Sequence, residues 1–269
     1  SKAAIAAGAV IGVIGIMALI LIPLSGTSKN ANKYPSREVT VAASVSEEQS
    51  SDKSKASATY SASFEVLIKE ALGTSVSSVT EEELGRFKYL SMRKGEAGWM
   101  ITYSFENPIV AAEQGQDADI NVVVCQEALE LQDIAALPQL EYLNLDHTEL
   151  PEGSLETLSS LKMITCDYIQ LDMLRLALGD AAKGLERLNA SHLKSLEELS
   201  YFPGLKSLEM EDCREISDIS ALAQVKDLEN LKLYDMDEVN DFTVLNVLKK
   251  LGSLSIDAEN LKDISFINH

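Results

Sequence analysis

Along the second half of the chain an apolar triplet of the form L-x-x-L-x-L keeps returning. It occurs at Ile120/Val123/Cys125, Leu140/Leu143/Leu145, Leu161/Ile164/Cys166, Leu185/Leu188/Ala190, Leu205/Leu208/Met210, Leu228/Leu231/Leu233 and Leu251/Leu254/Ile256. Successive starts lie 20, 21, 24, 20, 23 and 23 residues apart. The period of two inside each triplet predicts a short strand with one apolar face. Recurrence at this interval predicts stacked coils, because a single coil has no second layer against which to bury that face.

A second element, apolar-x-Asp-apolar, follows 10 or 11 residues after the triplet start, at Leu131-x-Asp133-Ile134, Ile216-x-Asp218-Ile219, Val239-x-Asp241-Phe242 and Leu261-x-Asp263-Ile264. An Asp there is suited to accept from the free N–H groups that open a return helical turn. The coils starting at Leu161 and Leu185 lack it, which predicts an irregular middle.

On these residues the chain resembles the leucine-rich-repeat family. The turn Ile216-Ser-Asp218-Ile219-Ser-Ala-Leu222 is similar to that of bacterial internalin-like surface proteins. The resemblance covers residues 60 to 269 and implies an α/β solenoid with a parallel β-sheet on its concave face. Cys213, three residues after its triplet, resembles the cysteine-containing repeat variant, which implies a side chain that satisfies backbone groups at the turn. The family implies recognition of a protein, peptide or wall ligand.

Ahead of the repeats, residues 60–119 read as an N-terminal cap with a hairpin-like insertion. Phe64, Leu67, Ile68, Ala71 and Leu72 have helical spacing and end at Gly73. Thr80-Glu-Glu-Glu83 is a capping-box pattern, and Phe87/Leu90/Met92 is an incomplete first triplet. Trp99 to Phe105 has strand character, with Lys94 to Gly98 as its turn.

The segment Ala3 to Leu24 holds 22 residues without a charge. About 20 such residues cross the hydrocarbon core of a bilayer as a helix, so residues 3–24 are expected to be a transmembrane helix behind a two-residue flank. Residues 25–59, rich in Ser, Ala, Lys and Glu, are expected to form a disordered stalk. Together these place the repeat domain outside a cell membrane, tethered by a single pass. Basic Lys29, Lys33 and Arg37 follow the apolar block, opposite to the positive-inside tendency, and the chain opens with Ser1, so upstream sequence is expected to carry the orienting charges. An alternative follows, in which that upstream portion is a cytoplasmic enzyme such as a kinase and this chain its sensing ectodomain.

Charge narrows the partners. Residues 1–59 contain 6 Lys/Arg and 4 Asp/Glu, and the remaining 210 contain 17 and 38, a balance of −21. Such a domain repels a phosphate backbone, whose binding depends on Lys and Arg displacing counterions, so nucleic acid is excluded. The sequence contains no nucleophile elbow, phosphate-binding Gly loop, two-His metal helix or EF-hand loop. It therefore implies no enzyme, cofactor or resident metal. Cys125 and Cys166 read as core fillers about 10 Å apart, two strand spacings, beyond disulfide reach. His147 and His192 read as solvated surface residues.

Recognition is expected on the outward strand positions, which form three columns. The first is Val122, Tyr142, Met163, Arg187, Ser207, Asn230 and Ser253; the second is Val124, Asn144, Thr165, Asn189, Glu209, Lys232 and Ser255. The third, Gln126, Asp146, Asp167, Ser191, Glu211, Tyr234 and Asp257, sets four carboxylates along one edge without a Lys or Arg. The candidate ligand-binding residues are Tyr142, Asn144, Asp146, Asp167, Glu209, Glu211, Tyr234 and Asp257, facing a cationic or amine-rich ligand.

Overall fold

The computed structural model describes residues 60–145 and 150–257. The cap opens with helix α1, Ala62–Leu72, whose first turn is closed by Ser61 accepting from the Phe64 N–H and whose last turn ends at Gly73 in the left-handed conformation, φ 71°. Its apolar stripe, Phe64, Leu67 and Ile68, is fully buried. The short helix α2, Glu81–Leu84, starts with the capping box between Thr80 and Glu83.

Strands β1, Tyr89–Gly95, and β2, Gly98–Ser104, form an antiparallel hairpin. Helix α3, Pro108–Glu113, then leads to strand β3, Asn121–Cys125, and helix α4, Leu131–Ala135. The coils continue through β4, Tyr142–Leu145; β5, Met163–Asp167; helix α5, Leu171–Leu178; β6, Arg187–Ser191; β7, Ser207–Glu211; β8, Asn230–Tyr234; and β9, Ser253–Asp257. Short 3-10 turns at Glu197–Tyr201, Ser220–Gln224 and Thr243–Val247 close the convex side.

Among the described residues the nine strands belong to one sheet in the order β3-β2-β1-β4-β5-β6-β7-β8-β9. From β1 through β4 to β9 every pairing is parallel. Leu143, Ile164, Leu188, Leu208 and Leu231 are in register and fully buried, as are Leu140, Leu161, Leu185, Leu205 and Leu228 one turn earlier. Full burial of one such side chain contributes roughly 1.5 to 3 kcal/mol, so these rows dominate the cohesion of the stacked coils. Leu251, Leu254 and Ile256 on and before β9 are half-buried.

Three expectations are corrected. The strand after Ile120 is not the layer beneath β4. The triplet Phe87/Leu90/Met92 takes that place, pairing Leu90 with Leu143, and the hairpin then carries the chain outward, so that β3 joins antiparallel to β2 at the edge. Following the register through β1 and β2 aligns Val122 with Thr102, Ser91 and Asn144, so the outward columns slip by two residues at this end. Cys125 and Cys166 are buried core residues, but four strand steps separate them, about 19 Å at 4.8 Å per step.

The missing Asp has different consequences in the two middle coils, the one starting at Leu161 being irregular as expected and the one starting at Leu185 not. Asp218 accepts from the Ser220 N–H at 2.7 Å and Asp241 from the Thr243 N–H at 2.8 Å; in the coil starting at Leu185, Ser195 takes the same place, accepting from the Glu197 N–H at 3.2 Å. The coil starting at Leu161 instead fills its longer span with α5 and a 3-10 turn through Gly184. Gly204 is required there, since a Cβ would stand 2.8 Å from the Lys183 carbonyl oxygen. Among the described residues no helix is long and apolar enough to cross a membrane, and the apolar block 3–24 and the stalk 25–59 lie outside the described residues.

Candidate functional site on the concave face

Each coil presents the outward side chains of its strand between two rims, one where the strands begin and one where they end. At the beginning, the residue after each first apolar position forms a row: Lys88, Glu141, Lys162, Glu186, Lys206, Glu229. Each is joined to the previous one by its N–H donating to the neighbour's carbonyl at 2.8 or 2.9 Å. The charge alternates at every step. Lys88 pairs with Glu141 at 3.3 Å, Lys162 with Glu186 at 3.5 Å and Lys206 with Glu186 at 2.8 Å. The hydrogen bond from Lys206 holds the Glu186 carboxyl below the usual carboxylate range. The three Lys and three Glu of this rim sum to zero charge.

Sequence reasoning missed that row, although its signal, an alternation of Lys and Glu at one repeat position, was present. It is an exposed series of ion pairs, individually worth little. Its consequence lies in what remains: the domain's negative excess falls elsewhere.

The centre of the face is mixed. The Tyr89 and Tyr142 rings lie 4.9 Å apart, the Tyr142 hydroxyl is 3.3 Å from the Thr165 hydroxyl, and burial raises both phenols above their ordinary value. Met163, expected to face outward, is buried. Its neighbour Arg187 forms an ion pair with Glu113 at the end of α3, and Asn107 at the start of α3 donates to Glu141 at 3.2 Å, so this short helix reaches along the strand beginnings. Further on, Glu209 pairs with Lys232 at 3.2 Å, and Asn144 and Asn189 flank Thr165 in the same row.

The far rim is different. Asp167 aligns with Ser191 and that with Glu211, while Tyr234 aligns with Asp257. Directly after these strands, Tyr168, His192, Asp212 and Asp235 all adopt left-handed backbone conformations, φ 53° to 58°. Asp accepts this conformation readily and Tyr does not, so the turn is imposed by the coil geometry. The Glu211, Asp212 and Asp235 carboxylates bring oxygens within 4.8 Å of one another, close enough to ligate a hard cation such as Ca²⁺. Arg214 reaches Asp212 at 2.6 Å.

His192 is not the free surface residue expected: its Nδ1 is 2.7 Å from Asp167 Oδ1, and its ring stacks on Tyr168 at 3.9 Å. Tyr168 is 58% exposed. Of the residues expected to bind, Tyr142, Asn144, Asp167, Glu209, Glu211, Tyr234 and Asp257 share the face of the sheet opposite the core. Only Glu211 gathers further acids, and Asp146 lies outside the described residues, as do His147 and the Leu261 tetrad. Tyr168, His192, Asp212 and Asp235 were missed because the turn position carries no single residue type. Cys213 is buried beneath the same turn, its Sγ donating to the Glu211 carbonyl at 3.4 Å, and burial pushes its thiol up.

Comparison with solved structures finds internalin C2 of Listeria monocytogenes, 24% identical with a TM-score of 0.38, over 49% of this chain and 58% of that one. It also finds an internalin, inlF, of the same organism, 23% identical with a TM-score of 0.38, over 57% of this chain and 44% of that one. The chain thus spans less than two thirds of either protein. No protein-family model matches the chain, and no curated relative does.

Proposed function

We propose that the domain is a non-catalytic binding module whose concave face and acidic far rim hold a cationic segment of a protein, peptide or wall ligand. The observation that carries the reading is the contrast between the rims. Where strands begin, every carboxylate in the row has a Lys neighbour; where they end, Glu211, Asp212 and Asp235 converge, with Arg214 paired to Asp212. Crowding like charges costs stability, and a cationic partner relieves it. Tyr142, Asn144, Asp146, Asp167, Glu209, Tyr234 and Asp257 complete the contact surface.

In this reading residues 3–24 anchor the module in a lipid bilayer and the repeats face outward. A direct test adds protease to intact cells expressing the full chain: cleavage within residues 60–257 supports display, and protection lost only on lysis refutes it.

Binding is tested with the full chain and an Arg/Lys-rich peptide array at two salt concentrations. The triple variant Glu211→Gln, Asp212→Asn, Asp235→Asn should lose the hits. A control with the same charge change, Glu82→Gln, Glu152→Gln, Glu197→Gln, should keep them. Equal loss in both would mean the peptides respond to net charge alone, and the proposed site would be wrong.

A further inference from the structure

Among the described residues, strand β3 closes the sheet at the cap end and has a neighbour on one side only. Which of its backbone groups face outward follows from Gly98. A Cβ on that glycine would collide with the Cys125 carbonyl oxygen, so this oxygen points at β2, beside its register partner Trp99. In an antiparallel ladder hydrogen-bonded and open positions alternate. Asn121, Val123 and Cys125 therefore bond to β2, and Ile120, Val122 and Val124 direct their N–H and C=O groups to the open edge. Among the described residues no backbone hydrogen bond links β3 to anything beyond β2.

The edge lacks the usual protections. Natural edge strands carry a Lys, a Pro, a bulge or a covering segment; here the run is Ile-Asn-Val-Val-Val-Cys-Gln, with neither charge nor proline. Val123 and Cys125 face the core, while Ile120 and Val122 are 36% and 43% exposed on the opposite side. β-branched side chains in that position favour a β-branched neighbour across the edge. Charge brackets the run, with Asp117 and Asp119 before it and Glu127 after it, all exposed. A second copy paired antiparallel about Val123 would set Asp119 against Glu127 twice.

We infer that the β3 edge takes an extended segment of another protein as an additional strand, one with apolar residues at alternate positions and Lys or Arg at both ends. Main-chain hydrogen bonds hold the segment, the alternate side chains lie against Ile120, Val122 and Val124, and the terminal cations meet Asp119 and Glu127. This is the geometry of strand addition. It uses a surface separate from the acidic rim, so the rim variants leave it unchanged.

The test uses the full chain and a capped synthetic peptide, Lys-Val-Thr-Val-Thr-Val-Thr-Val-Lys, followed by calorimetry and amide hydrogen exchange. The expected result is saturable binding that slows exchange at the Val122 and Val124 amides and leaves those of Asn230–Tyr234 unaffected. Replacing both peptide Lys by Glu should weaken binding about fivefold or more, the effect of two exposed charge pairs turned repulsive. Val122→Pro, which removes an outward N–H that β2 does not use, should abolish binding. The pair Val122→Lys, Val124→Lys should do the same through like-charge repulsion while melting as the parent does. The inference is overturned by absent or non-saturable binding, or by equal affinity for the Glu-ended peptide. Slow exchange at Val122 and Val124 without peptide also overturns it. Dependence on protein concentration would then identify a second copy as the occupant, and independence the chain's own residues.

Discussion

Replacing Asp133 by Ala should detach the cap from the solenoid without melting the coils. The carboxyl is fully buried between two helix starts. It accepts from the Ser61 N–H at 3.0 Å, the Ser61 hydroxyl at 2.5 Å and the Glu130 N–H at 2.8 Å. One side chain thus fastens the residue that caps α1 to the start of α4, 72 residues away. A donor orphaned in a buried position costs about 1 to 3 kcal/mol. Ser61 is half-buried and Glu130 exposed, so water can replace part of what is lost. The three bonds also share one acceptor and do not add, which places the expected loss at about 3 kcal/mol. Because a solenoid is coupled mainly between neighbours, that loss should appear locally. Amides of Phe64 to Leu72 should exchange about 100-fold faster, at 1.4 kcal/mol per decade, while those of β7 and β8 keep their protection. Asp133→Asn, which retains one acceptor oxygen, should fall between the two. Uniform acceleration across all coils would refute the local coupling, and no acceleration in α1 would refute the role of the carboxyl.

Three further outcomes are expected. Leu208→Ala, at the fully buried centre of the ladder, should cost about 3 to 4 kcal/mol in denaturant unfolding, and Leu254→Ala, half-buried on β9, less than half of that; equal costs would show that the ladder does not extend as described. Gly98→Ala should break the β2–β3 pairing, since the added methyl meets the Cys125 carbonyl at a φ of +136°; proteolysis between Gln114 and Asp119 should accelerate, and an unchanged digest would refute it. Acid should loosen the convex turns, because the Ser220 and Thr243 groups hold the Asp218 and Asp241 carboxyls below the usual range. A depressed folded value gives stabilisation that is complete above the unfolded value near 4 and lost as pH falls through the folded one. Stability should therefore decline below about pH 4, and Asp218→Asn with Asp241→Asn should flatten that decline; an identical acid profile for the variant would refute the assignment.

The coils from Leu140 onward were legible in the sequence because each apolar triplet meets an identical neighbour one period away. Burial of Leu143, Ile164, Leu188, Leu208 and Leu231 requires only that the repeat be kept. The Asp caps were legible for the same reason, as local contacts within two residues. Ser195 in the Asp position was not, because a hydroxyl and a carboxylate look unlike in sequence and equivalent as acceptors to an N–H.

Only the tertiary structure decided the cap. Two apolar triplets, at Phe87 and at Ile120, competed for the place beside β4, and local pattern favours neither. The choice fell to β1 because the hairpin turn at Gly95 to Gly98 is short and reverses the chain, leaving β3 to close the edge. The rims were decided in the same way. Lys and Glu at one repeat position become an ion-paired row, and acids at turn positions become a cluster, through backbone pairings between residues 20 to 24 apart and, from Lys88 to Glu141, 53 apart. A repeating sequence determines the coil, while distance across the sheet determines which charges are neutralised and which are left to face a partner.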